Sequence, residues 1–193
     1  MAVVLSDLLK GKPPEAFSAS ELTRKAHYRW DRGEEAAAAL LFEAAQARAE
    51  AEGDRAAAMA ARNRAAITFA RSTDDRAAAR ARLDAVIADY ERGPAEILDA
   101  HFAEWAATEL LVLDQADGPS DFTPAFRALQ ARCARAGCPR YPAIFPQQER
   151  LAELAFAGGA RGVMADVLPR LRARKTTRAL NARLDQWAAW LKA

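Results

Sequence analysis

The chain has 193 residues, 51% of them hydrophobic and 28% charged, with a formal net charge of +2. This composition excludes a disordered protein and leaves length enough for one sizeable core. A charge so close to zero excludes a protein that coats nucleic acid at large, although arginine greatly outnumbers lysine. Alanine, the best helix former, dominates, β-branched residues are sparse, and no stretch alternates apolar and polar as a strand would. The chain therefore reads as all-α and as a single domain over 1–193.

Residues 2–10 read as a short helix with Val4, Leu5, Leu8 and Leu9 on one face, ended by Pro13-Pro14. The segment 1–17 is either an N-terminal cap packed over the neighbouring helices or a docking arm. Ser18-Ala-Ser-Glu21 fits a capping box, so the next helix starts near residue 19 and stops at Gly33. A helix over about 34–52 ends at Gly53, and another covers about 54–71. Ser72-Thr-Asp-Asp75 breaks the chain and caps a helix that Gly93-Pro94 stops. The most apolar helix is expected over about 95–114, carrying Ile97, Leu98, Phe102 and Trp105. Thr123 reads as an N-cap with Pro124 at the first helical position, and Gly137 closes that helix. The loop over 138–146 is Pro-rich, which excludes a regular helix, but Tyr141, Ile144 and Phe145 are too apolar for a free linker. It is expected to lie against the body, with a partner-binding loop as the alternative. Helices occupy 147–193, with a bend or restart at Pro169. The last is capped by Thr176 or Thr177 and places Leu180, Leu184, Trp187 and Leu191 on one face.

The stretch from Ser20 to Arg92 holds two copies of one unit. Ala26, the break at Gly33, then Ala38, Phe42 and Ala45 are matched by Ala66, the break at Asp74, then Ala79, Leu83 and Val86. Counted from the break, the last three positions fall at +5, +9 and +12 in both copies, and the breaks are 41 residues apart. Small residues and one large apolar residue at near-fixed spacing let two helices pack closely. The pattern resembles a tetratricopeptide repeat, whose usual period is about 34 residues. The resemblance implies a right-handed array of antiparallel helix hairpins over 18–137 with a C-terminal capping helix. It also implies that the first helix of each pair lines a concave binding surface. The exposed positions there would be Thr23, His27 and Trp30 in the first copy. In the second they would be Asn63, Ile67 and Ala70, with Arg71 adjacent, and on the apolar helix His101, Glu104, Trp105 and Thr108. Trp30 and Trp105 read equally as core or as contacts. The lysine and asparagine clamp of chaperone-binding members is not recognisable.

No enzyme motif stands out. Gly158-Gly-Ala-Arg-Gly162 has the glycines of a dinucleotide loop but no strand before it, so it reads as a turn between helices. His101 and Glu104 share a helical face, and nothing near in sequence completes a metal site. Cys133 and Cys138 read as two ordinary thiols, with a local disulfide or redox pair as the alternative. No cofactor or metal is expected. Arg170, Arg172, Arg174, Lys175, Arg178 and Arg183 form the strongest basic cluster. It suits a solvated face, an acidic protein surface or, second to these, nucleic acid, for which no interleaved aromatic is present to stack bases. The absence of a signal peptide and of an apolar run of about 18 residues leads to a cytoplasmic expectation. The leading functional reading is non-enzymatic binding of a protein or peptide, as an adaptor, a chaperone or an immunity-type inhibitor of a toxin. Regulatory nucleic-acid binding through 170–183 is the alternative. Oligomeric state is not legible.

Overall fold

The computed structural model describes residues 3–93, 101–174 and 177–193, and among them there is no strand. Helix makes up 76% of the described residues. The helices are α1 (Leu5–Leu8), α2 (Ala19–Trp30), α3 (Glu35–Ala51), α4 (Arg55–Ser72) and α5 (Arg76–Arg92). After them come α6 (His101–Asp114), α7 (Thr123–Arg135), α8 (Phe145–Gly158), α9 (Arg161–Arg172) and α10 (Arg178–Lys192). A 3-10 turn covers Pro14–Ala16. No described helix is long and apolar enough to cross a membrane. Where the sequence suggests one domain, the chain divides into two compact units, Met1–Val86 and Ile87–Ala193, with the division falling inside α5.

In the N-terminal unit α2 packs on α3 and α3 on α4, and α1 and the 3-10 turn lie on α3. The Ser18 capping box forms: the Glu21 N–H donates to Ser18 Oγ at 3.2 Å, and the Ser18 N–H to Glu21 Oε2 at 2.9 Å. Gly33 closes the turn after α2 at φ 73°, a left-handed conformation that costs glycine nothing. There the Glu34 N–H reaches back to the Arg29 carbonyl at 3.0 Å, satisfying a helix-end acceptor. The core joins Leu9, Leu22, Ala26, Ala38, Leu41, Phe42 and Ala45 to Ala61 and Ala65 of α4. All eight apolar positions of the doubled sequence pattern, from Ala26 to Val86, are buried. Alanine at the seam keeps side chains short, so helix backbones approach closely. Of the expected N-terminal apolar face, Leu9 is buried and Leu5 and Leu8 pack against the core, whereas Val4 is exposed.

In the C-terminal unit α8 packs on α9 and α9 on α10, and α6 meets α7 and α8. Leu180, Leu184 and Trp187 of α10 are buried, and Thr177 caps it, accepting from the Leu180 N–H at 3.2 Å. The glycine segment after α8 is a turn between helices. A Cβ on Gly158 would sit 2.3 Å from the Ser120 carbonyl oxygen, and one on Gly162 2.5 Å from Thr123 Cγ2. Three boundaries differ from expectation. Thr123 is the first residue of α7, not its cap, and Asp121 accepts from its N–H at 2.9 Å. α8 begins at Phe145, because Pro146 falls in the first turn, where a missing N–H costs no helix bond. α9 runs unbroken through Pro169; Ala165, whose carbonyl loses its helical donor there, is exposed to water. The start expected for α6 near residue 95, with Ile97 and Leu98, lies outside the described residues.

Candidate functional site

On α2 the inward positions Leu22 and Ala26 are fully buried, which leaves Thr23, His27 and Trp30 partly exposed. The His27 and Trp30 rings stack with centroids 5.9 Å apart. Phe42 of α3 meets both edge-on, at 5.2 Å from His27 and 5.9 Å from Trp30. Trp30 thus rests part of its ring on the core and shows the rest to solvent. Partial burial, followed by the nearby Arg64 guanidinium, lowers the His27 pKa from its ordinary 6.5, against a weaker raising effect of Asp31. The His27 environment therefore favours the neutral imidazole.

The second set departs from expectation. Asn63, expected on an exposed face, is fully buried, as is Ile67, and Ala70 is buried too. The reason is that α4 buries alanines on more than one side, from Ala58 through Ala70, and leaves no solvent face at those positions. Arg71 is half-buried and lies 3.7 Å from Glu35. In the same unit, a cleft of about 380 Å³ opens between α3, α4 and α5. Its rim is charged, with Glu43, Arg62 and Arg82, and its floor is Ala65, Ala66 and Val86. Arg82 pairs with Glu43 and lies 3.8 Å over the Phe69 ring.

In the C-terminal unit His101 is exposed and Trp105 half-buried, but Glu104 and Thr108, expected at the surface, are fully buried. They are buried by the loop before α8. The Ile144 N–H donates to Glu104 Oε1 at 2.7 Å, and the Tyr141 hydroxyl lies 3.2 Å from Thr108 Oγ1. Glu104 Oε2 receives no hydrogen bond from the described residues. Burial raises the Glu104 pKa, against the opposing pull of the Ile144 and Ala143 amides and of His101 and Arg170. Cys138 also arrives here, so that one ligand-type atom each from His101, Glu104 and Cys138 lies within 4.8 Å of the others. Cys133 and Cys138 are both buried thiols. Burial pushes the Cys133 thiol far above its ordinary value, which makes it a poor nucleophile.

Most of the basic cluster has partners within the chain, although Arg172 and Arg174 remain exposed. Arg170 donates to the carbonyls of Arg140 and Pro142 at 2.8 and 3.0 Å and pairs with Asp166 at 2.8 Å. Arg174 donates to the Ala143 carbonyl at 3.1 Å, and Arg172 pairs with Asp185 at 2.8 Å. Arg183 pairs with Glu149 and Glu153. Arg178 stands exposed at the start of α10, and Lys175 lies outside the described residues. Two glutamines that sequence reasoning passed over complete the grip on the loop. Gln130 donates to the Tyr141 carbonyl at 3.0 Å, and Gln148 to the Pro142 carbonyl at 2.9 Å. Their signal was available: a Pro-rich segment has carbonyls without ladder partners, and amide side chains flank it.

Comparisons with protein-family models, with curated proteins and with solved structures find no match to this chain.

Proposed function

We propose that the chain is a non-enzymatic binding module for a protein or peptide. In this reading its helices form a right-handed array of tetratricopeptide-like hairpins, and α10 caps the end. The observation that carries the proposal is the His27–Trp30 pair. It is a rigid aromatic stack, braced from below by Phe42, that stays partly open to solvent. Large, pre-ordered rings at a surface lose little side-chain entropy on binding and become centres of interface energy. The arginine cluster does not favour the nucleic-acid alternative, because Arg170, Arg172, Arg174 and Arg183 are already engaged within the fold.

The test is capture of partners by the purified chain, followed by titration of the partner against wild type and Trp30→Ala. The variant is expected to lose about 2 kcal/mol of binding energy at a temperature well below both melting points. Its melting temperature also falls, by less than a fully buried tryptophan would cost. Affinity equal to wild type would remove the aromatic pair from the interface, and a wild-type chain that captures nothing counts against the binding reading itself.

A further inference from the structure

We propose that His101, Glu104 and Cys138 form a binding site for one zinc-class divalent cation, with water completing its coordination. The three side chains come from two places in the C-terminal unit. His101 and Glu104 are one helical turn apart on α6, so their side chains share a face. Cys138 lies just beyond α7 and is carried to them by the turn in which its N–H donates to the Cys133 carbonyl at 2.7 Å. One imidazole nitrogen, one carboxylate oxygen and one sulfur lie within 4.8 Å of one another. Ligand atoms on a tetrahedral zinc are about 3.3–3.8 Å apart, given bond lengths of about 2.0–2.3 Å. Closing that difference takes side-chain rotation, for which the exposed His101 has room.

A second observation points to the same place. Glu104 is fully buried, yet its Oε2 receives no hydrogen bond from the described residues, although Oε1 is held by the Ile144 amide. Folded proteins rarely leave a buried carboxylate oxygen without a partner. A cation supplies one. A carboxylate and a thiolate carry two negative charges, which a divalent ion neutralises, so the loaded site is electrically balanced where it is driest. Sulfur and imidazole together select zinc-class metals over magnesium or calcium, which prefer all-oxygen sites. On binding, the metal–sulfur bond replaces the S–H bond of Cys138, and that proton leaves to solvent. Because His101 faces solvent, the remaining position is open to water.

The experiment uses the full chain, purified with a chelator and then titrated with Co²⁺ and Zn²⁺. One equivalent of Co²⁺ should bind, with a near-ultraviolet thiolate-to-cobalt charge-transfer band, and Zn²⁺ should displace it and raise the melting temperature. His101→Ala, a surface change that leaves folding intact, should weaken binding by more than about tenfold, since even outer-shell partners of metal ligands are worth that much. Cys138→Ser should abolish the charge-transfer band, and Cys133→Ala should keep it. Absence of a thiolate band in wild type overturns the site. So does a band that survives Cys138→Ser, or an affinity unchanged in His101→Ala.

Discussion

The two units of this chain hold themselves together by different means. In the N-terminal unit the helices meet through alanines and a few large residues, and their connections are short turns such as the one at Gly33. Buried polar side chains are few there, with Asn63 and Thr68 among them. The C-terminal unit buries Glu104, Thr108, Glu109, Gln147 and Gln148, and ties down a proline-rich loop with side chains that donate to its carbonyls. The first unit is stabilised by shape and the second needs specific polar partners as well. Shape-based packing repeats easily along a sequence, whereas a polar network joins residues of unrelated sequence position.

The largest effect expected from this contrast is in the N-terminal unit. Phe42→Ala removes the fully buried ring on which His27 and Trp30 lean, and should cost about 3–5 kcal/mol in denaturant unfolding. A loss below about 1 kcal/mol would mean that this unit does not depend on a packed centre. In the C-terminal unit, Gln148→Ala should cost about 1 kcal/mol, because the Pro142 carbonyl loses one of its two donors and keeps Arg170. Hydrogen exchange should localise that change to the loop over 138–144, and unchanged protection there would sink the idea that side chains hold it. The smallest effect is a pH dependence seated at His27. Its folded pKa lies below 6.5, so the unfolded chain takes up the proton first. The His27 contribution is complete above about 6.5 and is lost as pH falls through the lower folded value. Stability measured from pH 7 downward should decline less steeply in His27→Gln than in wild type.

The same contrast explains what could be read in advance. The Ser18 box, the Gly33 stop and the Thr177 cap are local codes, written within a few residues, and they were legible. The burial of Ala26, Ala38, Phe42 and their counterparts was legible because the pattern occurs twice. The surroundings of Glu104 were not. Its helical face looks amphipathic in sequence, and only the arrival of Tyr141, Ile144 and Cys138 encloses it. Asn63 misled for a related reason: an alanine-rich helix has no strong apolar stripe, so its sequence does not say how many sides are covered. The arginines over 170–183 looked like a free basic face, because carbonyl acceptors on a distant loop leave no trace in charge patterning.

The alanine seam between α2, α3 and α4 sets the direction in which this protein can tolerate change. A core of leucines and phenylalanines can be worn down residue by residue, each loss leaving a void. A contact made by Ala26, Ala38, Ala45 and Ala65 has almost nothing left to lose, and trimming to glycine mainly loosens the helix. Growth is another matter. At Ala26, Ala38 and Ala45, which are fully buried, an added methyl overpacks the contact and the helices must shift to receive it. Mutational drift at the seam is therefore one-sided: it admits residues no larger than those present, while the outer faces of the same helices remain free to vary.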